Sequence, residues 1–74
     1  MAKELRLAIG RRVRELRTEA GLSQEAMANR LRLHRNYVGY VERGERSLSL
    51  ATLARLARAL DVSLAEFFAP FQKR

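Results

Sequence analysis

Fifteen cationic side chains, one histidine and no cysteine define the chemistry open to this 74-residue chain. Thirteen of the cations are Arg; only Lys3 and Lys73 are Lys. A guanidinium can fork onto phosphate or onto the O6 and N7 of guanine, whereas an ammonium acts as a single point. Codon composition produces the same bias in some organisms, so the bias alone leaves both explanations standing. Eight acidic residues leave a formal net charge of +7, and polyanions are the natural partners of such a chain. Other chemistry is poorly served. A lone His34 supplies neither a metal cluster nor a Ser-His-Asp set, and there is no HExxH, no Gly-rich phosphate loop and no spaced carboxylate pair on an apolar face. Without cysteine there are no disulfides, thiolate nucleophiles or Cys-based zinc sites. The expectation is a non-enzyme with no cofactor, metal or small-molecule substrate.

A small fold must position these cations. Seventy-four residues make one domain, which buries only about 60% of its unfolded surface. At 47% apolar and 31% charged the composition is that of a globular chain. No apolar run reaches the ~18 residues of a membrane span, and no h-region follows the N-terminus. A cytoplasmic protein is expected.

Leu5, Ile9, Val13, Leu16 and Ala20 recur at steps of three and four, predicting a helix over residues 3–20 that stops at Gly21. Gly10 interrupts it, at a cost of up to ~1 kcal/mol against alanine that a buried stripe can absorb. Ser23 offers an N-cap for a second helix over 24–31, with Gln24 and Glu25 in its first turn. After a break at residues 32–34, Val38 and Val41 mark a third helix over 35–42, ending before Gly44. Ser49 caps a fourth over 50–60 bearing Leu50, Leu53, Leu56, Ala57 and Leu60. Ser63 and Glu66 form a capping box for a fifth over 64–69, closed by Pro70. No segment alternates like a strand, so the fold class is all-α with five helices.

Two short helices about a three-residue turn have the dimensions of a DNA-binding helix-turn-helix. Met27, Ala28, Leu31, Leu33, Val38 and Val41 fill the faces that meet, with small Ala28 where the helices come closest. The segment LSQEAMANRLRLHRNYVGYVERG resembles the helix-turn-helix of the phage-repressor and Cro-like (Xre-type) regulators, and the resemblance extends over residues 9–68. It implies a compact lambda-repressor-like DNA-binding domain that takes double-stranded DNA as partner.

The resemblance places base contacts at Arg35, Asn36 and Tyr40, with Gly39 letting the helix approach closely. Arginine suits guanine, asparagine suits adenine, and a tyrosine ring can lie against a thymine methyl. It places backbone contacts at Ser23, Gln24, His34, Tyr37, Arg43 and Arg46, with Gln24 also buttressing Arg35. It further implies a structural salt bridge between Arg17 and Glu42. Two positions depart from the family pattern. Arg32 stands where glycine is usual and must accept positive φ, and His34 replaces the usual Ser, Thr or Asp cap, leaving it open to a phosphate or base. One of Arg11, Arg12 and Arg14 is expected to touch DNA. Among the aromatic residues near the C-terminus, Phe67 and Phe71, with Leu64, are expected to form a homodimer interface, because so small a domain hides only one or two phenylalanines.

The function implied is a homodimeric, sequence-specific transcription regulator on a roughly palindromic operator. With the chain ending at Arg74, control through its own concentration is expected. Among small members of the family it looks most like the controller proteins of restriction-modification systems. Phage-type repressors and antitoxins are alternatives, as is a module that binds a protein partner with DNA secondary.

Overall fold

The computed structural model describes residues 1–71 and contains α1 (Lys3–Glu19), α2 (Gln24–Leu31), α3 (Tyr37–Glu42), α4 (Leu50–Ala59), α5 (Leu64–Phe67) and a 3-10 turn over Ala69–Phe71. Lys73 and Arg74, counted among the cations above, lie outside the described residues. No strand occurs among the described residues, and no helix there is long and apolar enough to cross a membrane.

Serines start three of the helices. Ser23, Ser49 and Ser63 each sit in extended backbone and accept from the amide three residues on, at 3.0 Å in every case. At α5 the box is reciprocal, since Glu66 Oε1 accepts from the Ser63 amide at 3.2 Å. Left-handed residues follow four of the helices, Gly44 at φ 74 after α3 among them. Gly21 takes φ 74 after α1, Arg32 φ 56 after α2 and Asp61 φ 59 after α4. At the first of these the Gly21 and Leu22 amides donate back to Thr18 and Arg17 carbonyls, closing the helix end. Arg32 therefore does adopt the strained conformation that its replacement of glycine requires.

The core is a single cluster of Ile9, Val13, Leu16, Met27, Ala28, Leu31, Val38, Val41, Leu53, Leu56, Leu60 and Phe67. Three expectations need correction. Leu5, at the start of the first stripe, is 43% exposed and Leu50 is 74% exposed, because both lie in first turns that project beyond the cluster. The last helix ends at Phe67, and Pro70 sits inside the 3-10 turn instead of closing a helix to 69. Phe67, assigned to a dimer surface, is wholly buried and is the largest fully buried side chain. It plugs the domain because α5 is a single turn whose inward position must fill the space between α1 and α4. Phe68 and Phe71 are partly buried behind it, each ring meeting the next edge-on at 5.1 and 5.3 Å.

Arginines stitch the outside of this core to helix ends. Arg12 Nε and Nη2 donate to the Phe67 and Glu66 carbonyls at 2.8 and 2.7 Å, closing α5. Arg55 donates to the Leu31 carbonyl at the end of α2, Arg30 to the Ala59 carbonyl at the end of α4, and Arg6 to the Gly44 carbonyl. The last carbonyls of a helix lack partners within it, and a guanidinium supplies them together with a favourable charge.

α1 and α3 touch backbone to backbone. A Cβ on Gly10 would stand 2.5 Å from the Val41 oxygen and 2.6 Å from the Glu42 oxygen. Gly10 is thus the contact point of the two helices, more than a tolerated interruption. Gly44, at φ 74, lies under Leu7 in the same seam, where a Cβ would come within 2.7 Å of Leu7 Cδ2.

Candidate nucleic-acid interface

The α2–α3 corner is rigid because the apolar groups facing it are packed: Met27 and Ala28 are fully inaccessible, Leu31, Val38 and Val41 nearly so, and Leu33 is partly buried against them. Three elements are then locked together by one carboxylate. Glu42 accepts from Arg17 Nε at 2.5 Å, from Arg17 Nη2 at 3.1 Å and from Gln24 Nε2 at 3.0 Å, while Arg17 Nη1 donates to the Leu22 carbonyl at 2.8 Å. The pair is nearly dry, with side-chain exposures of 11% for Arg17 and 4% for Glu42. Its hydrogen bond to Glu42 raises the Arg17 pKa against the opposing pull of burial.

Gln24 is tied into the same bonds. Its Nε2 donates to Glu42, so in this structure Gln24 buttresses α3. The expected role of Gly39 is corrected. It is buried, and a Cβ there would meet Arg43 Nη1 at 3.1 Å and Gln24 Oε1 at 3.4 Å. The glycine makes room for those two side chains and presents no contact of its own.

The third helix begins later than expected. Residues 35 and 36 form a turn, Asn36 occupies the cap position with φ −82, and the α-helical bonds begin with the Tyr40 amide donating to the Asn36 carbonyl. His34 braces this turn. Its Nδ1 accepts from the Asn36 amide at 3.1 Å and its carbonyl from the Tyr37 amide at 2.9 Å, so the imidazole caps two residues on. With Nδ1 accepting, Nε2 is left as the donor of an exposed side chain. Arg35 and Asn36 are both exposed.

Tyr40, half-buried, carries two guanidinium groups. The central carbon of Arg43 lies 5.2 Å from the ring centre and that of Arg46 lies 5.3 Å from it, within cation–π range. Arg43 is also paired with Glu45, at 3.1 Å from Nε. Tyr37 packs on the core, and that burial raises its hydroxyl pKa while Arg46 and Arg55 pull it down. Together His34, Asn36, Tyr37, Tyr40 and Arg46 line an open hollow of about 130 Å³. Ser23 keeps its hydroxyl proton free while its oxygen caps α2.

So the structure gathers Asn36, His34, Tyr37, Tyr40, Arg43 and Arg46 on one surface, with Arg35 in the same exposed turn. Leu64 lies elsewhere, 39% exposed on α5, and Phe71 is partly buried beside it. Arg12, one of the three α1 arginines expected near DNA, is engaged in closing α5. Two features escaped sequence reasoning. The His34 cap had no signal beyond the wrong residue type at a cap position, and the Glu45 pair had only the spacing of a carboxylate two residues after an arginine. No group of three or more potential metal ligands occurs among the described residues.

This geometry has close counterparts. The control protein C.BamHI of Bacillus amyloliquefaciens is 38% identical over 63 residues, covering 84% of this chain and 78% of that protein. The restriction-modification controller protein C.AhdI from Aeromonas hydrophila superposes with a TM-score of 0.83 at 48% identity, over 89% of this chain and 96% of that one. The controller protein C.Esp1396I, solved as a tetramer in complex with its natural 35 base-pair operator, gives a TM-score of 0.82 at 30% identity, over 89% and 87% of the two chains. The HTH_3 helix-turn-helix family model matches residues 13–67, from the middle of α1 through α5. The chain belongs to the HTH_3 family of helix-turn-helix proteins.

Proposed function

We propose that the protein is a sequence-specific regulator of transcription that binds double-stranded DNA as a homodimer, in the manner of a restriction-modification controller, and performs no catalysis. The observation that carries this reading is the exposed turn bearing Arg35 and Asn36 beside the Tyr40 ring with its two guanidinium groups, on a corner that the Arg17–Glu42–Gln24 network holds rigid. Its support from kinship is the operator complex of C.Esp1396I.

In the major groove Arg35 forks onto guanine and Asn36 onto adenine, while the Tyr40 edge meets a pyrimidine methyl. Arg43, Arg46, Tyr37, Ser23 and the Nε2 proton of His34 hold phosphates and fix the register. Gln24, with one amide proton on Glu42, offers its second to a phosphate. Exposed Leu64 and the rim of Phe71 supply the contact between copies, which sets two recognition segments about 34 Å apart and makes the operator roughly palindromic. Such a protein acts in the cytoplasm, where bacterial DNA lies.

Selection of bound duplexes from a random pool, followed by titration against salt, tests this. With about six phosphates neutralised, log affinity falls with log salt at a slope near −5, and the selected duplex binds about 10³-fold or more above scrambled DNA. Arg35→Ala costs about 1–3 kcal/mol on the selected duplex and relaxes preference at one base position. Equal affinity for all duplexes would remove the reading.

A further inference from the structure

Arg43, the first residue past α3, is gripped from two sides. Its Nε donates to Glu45 Oε2 at 3.1 Å and its Nη2 to Glu45 Oε1 at 3.3 Å, a side-on bidentate pair. The Tyr40 ring lies 5.2 Å from its central carbon. Glu45 is fixed in turn, since its amide donates to the Tyr40 carbonyl at 2.9 Å. The remaining nitrogen, Nη1, makes no bond to Glu45 and stands over Gly39, where a Cβ would come within 3.1 Å. A bare glycine is what makes room for that nitrogen.

As a stabilising contact the pair has little to offer, because its two side chains are 54% and 53% exposed. As part of a surface that receives a polyanion, a carboxylate is a liability to binding. We propose that Glu45 is a specificity-determining residue: it positions Arg43 in one orientation while its charge opposes every duplex, and the two effects together favour the operator over other DNA. The inference rests on the DNA-binding reading above.

The discrimination comes from what each kind of complex needs of Arg43. On non-cognate DNA, phosphates dominate, and a mobile arginine would swing to whichever lies nearest. Held by Glu45 it must first break two hydrogen bonds, and the carboxylate remains beside the strand. On the operator the free Nη1 edge meets an acceptor already in line with it, so the pair survives and the ordering of the side chain has been met in advance. Repulsion common to all partners, combined with a gain reserved for one, is how binding sites reject the wrong partner.

Glu45→Gln and Glu45→Asp test the inference on the full chain, using the duplex selected by the wild type and a scrambled duplex of equal length in a salt series. Glu45→Gln is expected to bind scrambled DNA about 2- to 5-fold tighter, with a salt slope steeper by about 0.9. The selected duplex gains less, so the ratio between the two falls, and the melting temperature holds. Glu45→Asp, which keeps the charge, stays near wild type on scrambled DNA. A ratio unchanged or raised in Glu45→Gln overturns the proposal alone, provided the wild type is selective. A wild type without preference overturns both it and the function beneath it.

Discussion

Replacing Gly10 by alanine sets two effects of opposite sign against each other at one atom. In an isolated helix the substitution favours folding by roughly 1 kcal/mol, because glycine is the poorest interior residue after proline. Here the added methyl would stand 2.5 and 2.6 Å from the Val41 and Glu42 carbonyl oxygens and 2.9 Å from the Glu42 carbonyl carbon. Ordinary contact needs about 3.4 Å or more, so α3 must retreat from α1 by nearly 1 Å. All three obstacles are backbone, and no rotamer change clears them. Moving α3 also strains Glu42, whose 2.5 Å bond to Arg17 ties the same two helices. Overpacking of this kind costs about 1–3 kcal/mol, and the absence of any flexible atom puts it at the upper end. The net loss is then about 1–2 kcal/mol, or about 5–15 °C in melting temperature for a domain of this size. Thermal unfolding followed by circular dichroism reads it directly. Operator affinity should fall as well, since the displaced element carries Tyr40. A Gly10→Ala protein as stable as wild type, or more so, would refute the backbone-contact argument.

Three further outcomes can be checked on the same footing. Glu42→Ala strands a buried guanidinium and the Gln24 amide and should cost about 3–5 kcal/mol in urea unfolding, whereas Arg17→Met with Glu42→Leu should cost less than the sum of the single changes; strict additivity would show that the pair is not a unit. Arg12→Lys keeps the charge but loses the double bond to α5, so it should lower stability by about 1–2 kcal/mol while leaving the salt slope of DNA binding unchanged; a lower slope at unchanged stability would place Arg12 on the DNA instead. Burial raises the Tyr37 pKa above its ordinary 10.0, so the neutral phenol is favoured in the folded state. Its contribution is complete below pH 10 and is lost as pH rises through the folded value, so stability should decline in that alkaline window and Tyr37→Phe should flatten the decline, measured by urea midpoints from pH 9 upward.

Local signals made most of the fold legible. Serine caps and left-handed glycines lie next to the segments they bound, so the starts of α2, α4 and α5 and the stops of α1 and α3 can be read from neighbours. The misreadings came from partners distant along the chain. Phe67 reads as one aromatic among three until α1 and α4 close around it, and Gly10 reads as a weak point until Val41 and Glu42, over thirty residues away, arrive at its face. In the interface, residue types were informative and bonding was not. Gln24 has several possible acceptors in sequence and meets Glu42 only because α2 and α3 cross there. α3 starts two residues later than the valine spacing implies, after a turn at residues 35 and 36 whose Asn36 amide donates to His34 Nδ1.

The arginine-closed helix ends carry an evolutionary consequence. Of the thirteen arginines, Arg6, Arg12, Arg30 and Arg55 each serve a carbonyl group of the chain itself. Arg12 bridges two carbonyls at once with a planar fork, which a single ammonium centre cannot reproduce. A lineage drifting from arginine codons toward lysine codons would keep its net charge at neutral pH and its attraction to nucleic acid while its helix termini came undone one by one. In this protein, then, part of what a bulk measure of basicity records as affinity for DNA is scaffolding.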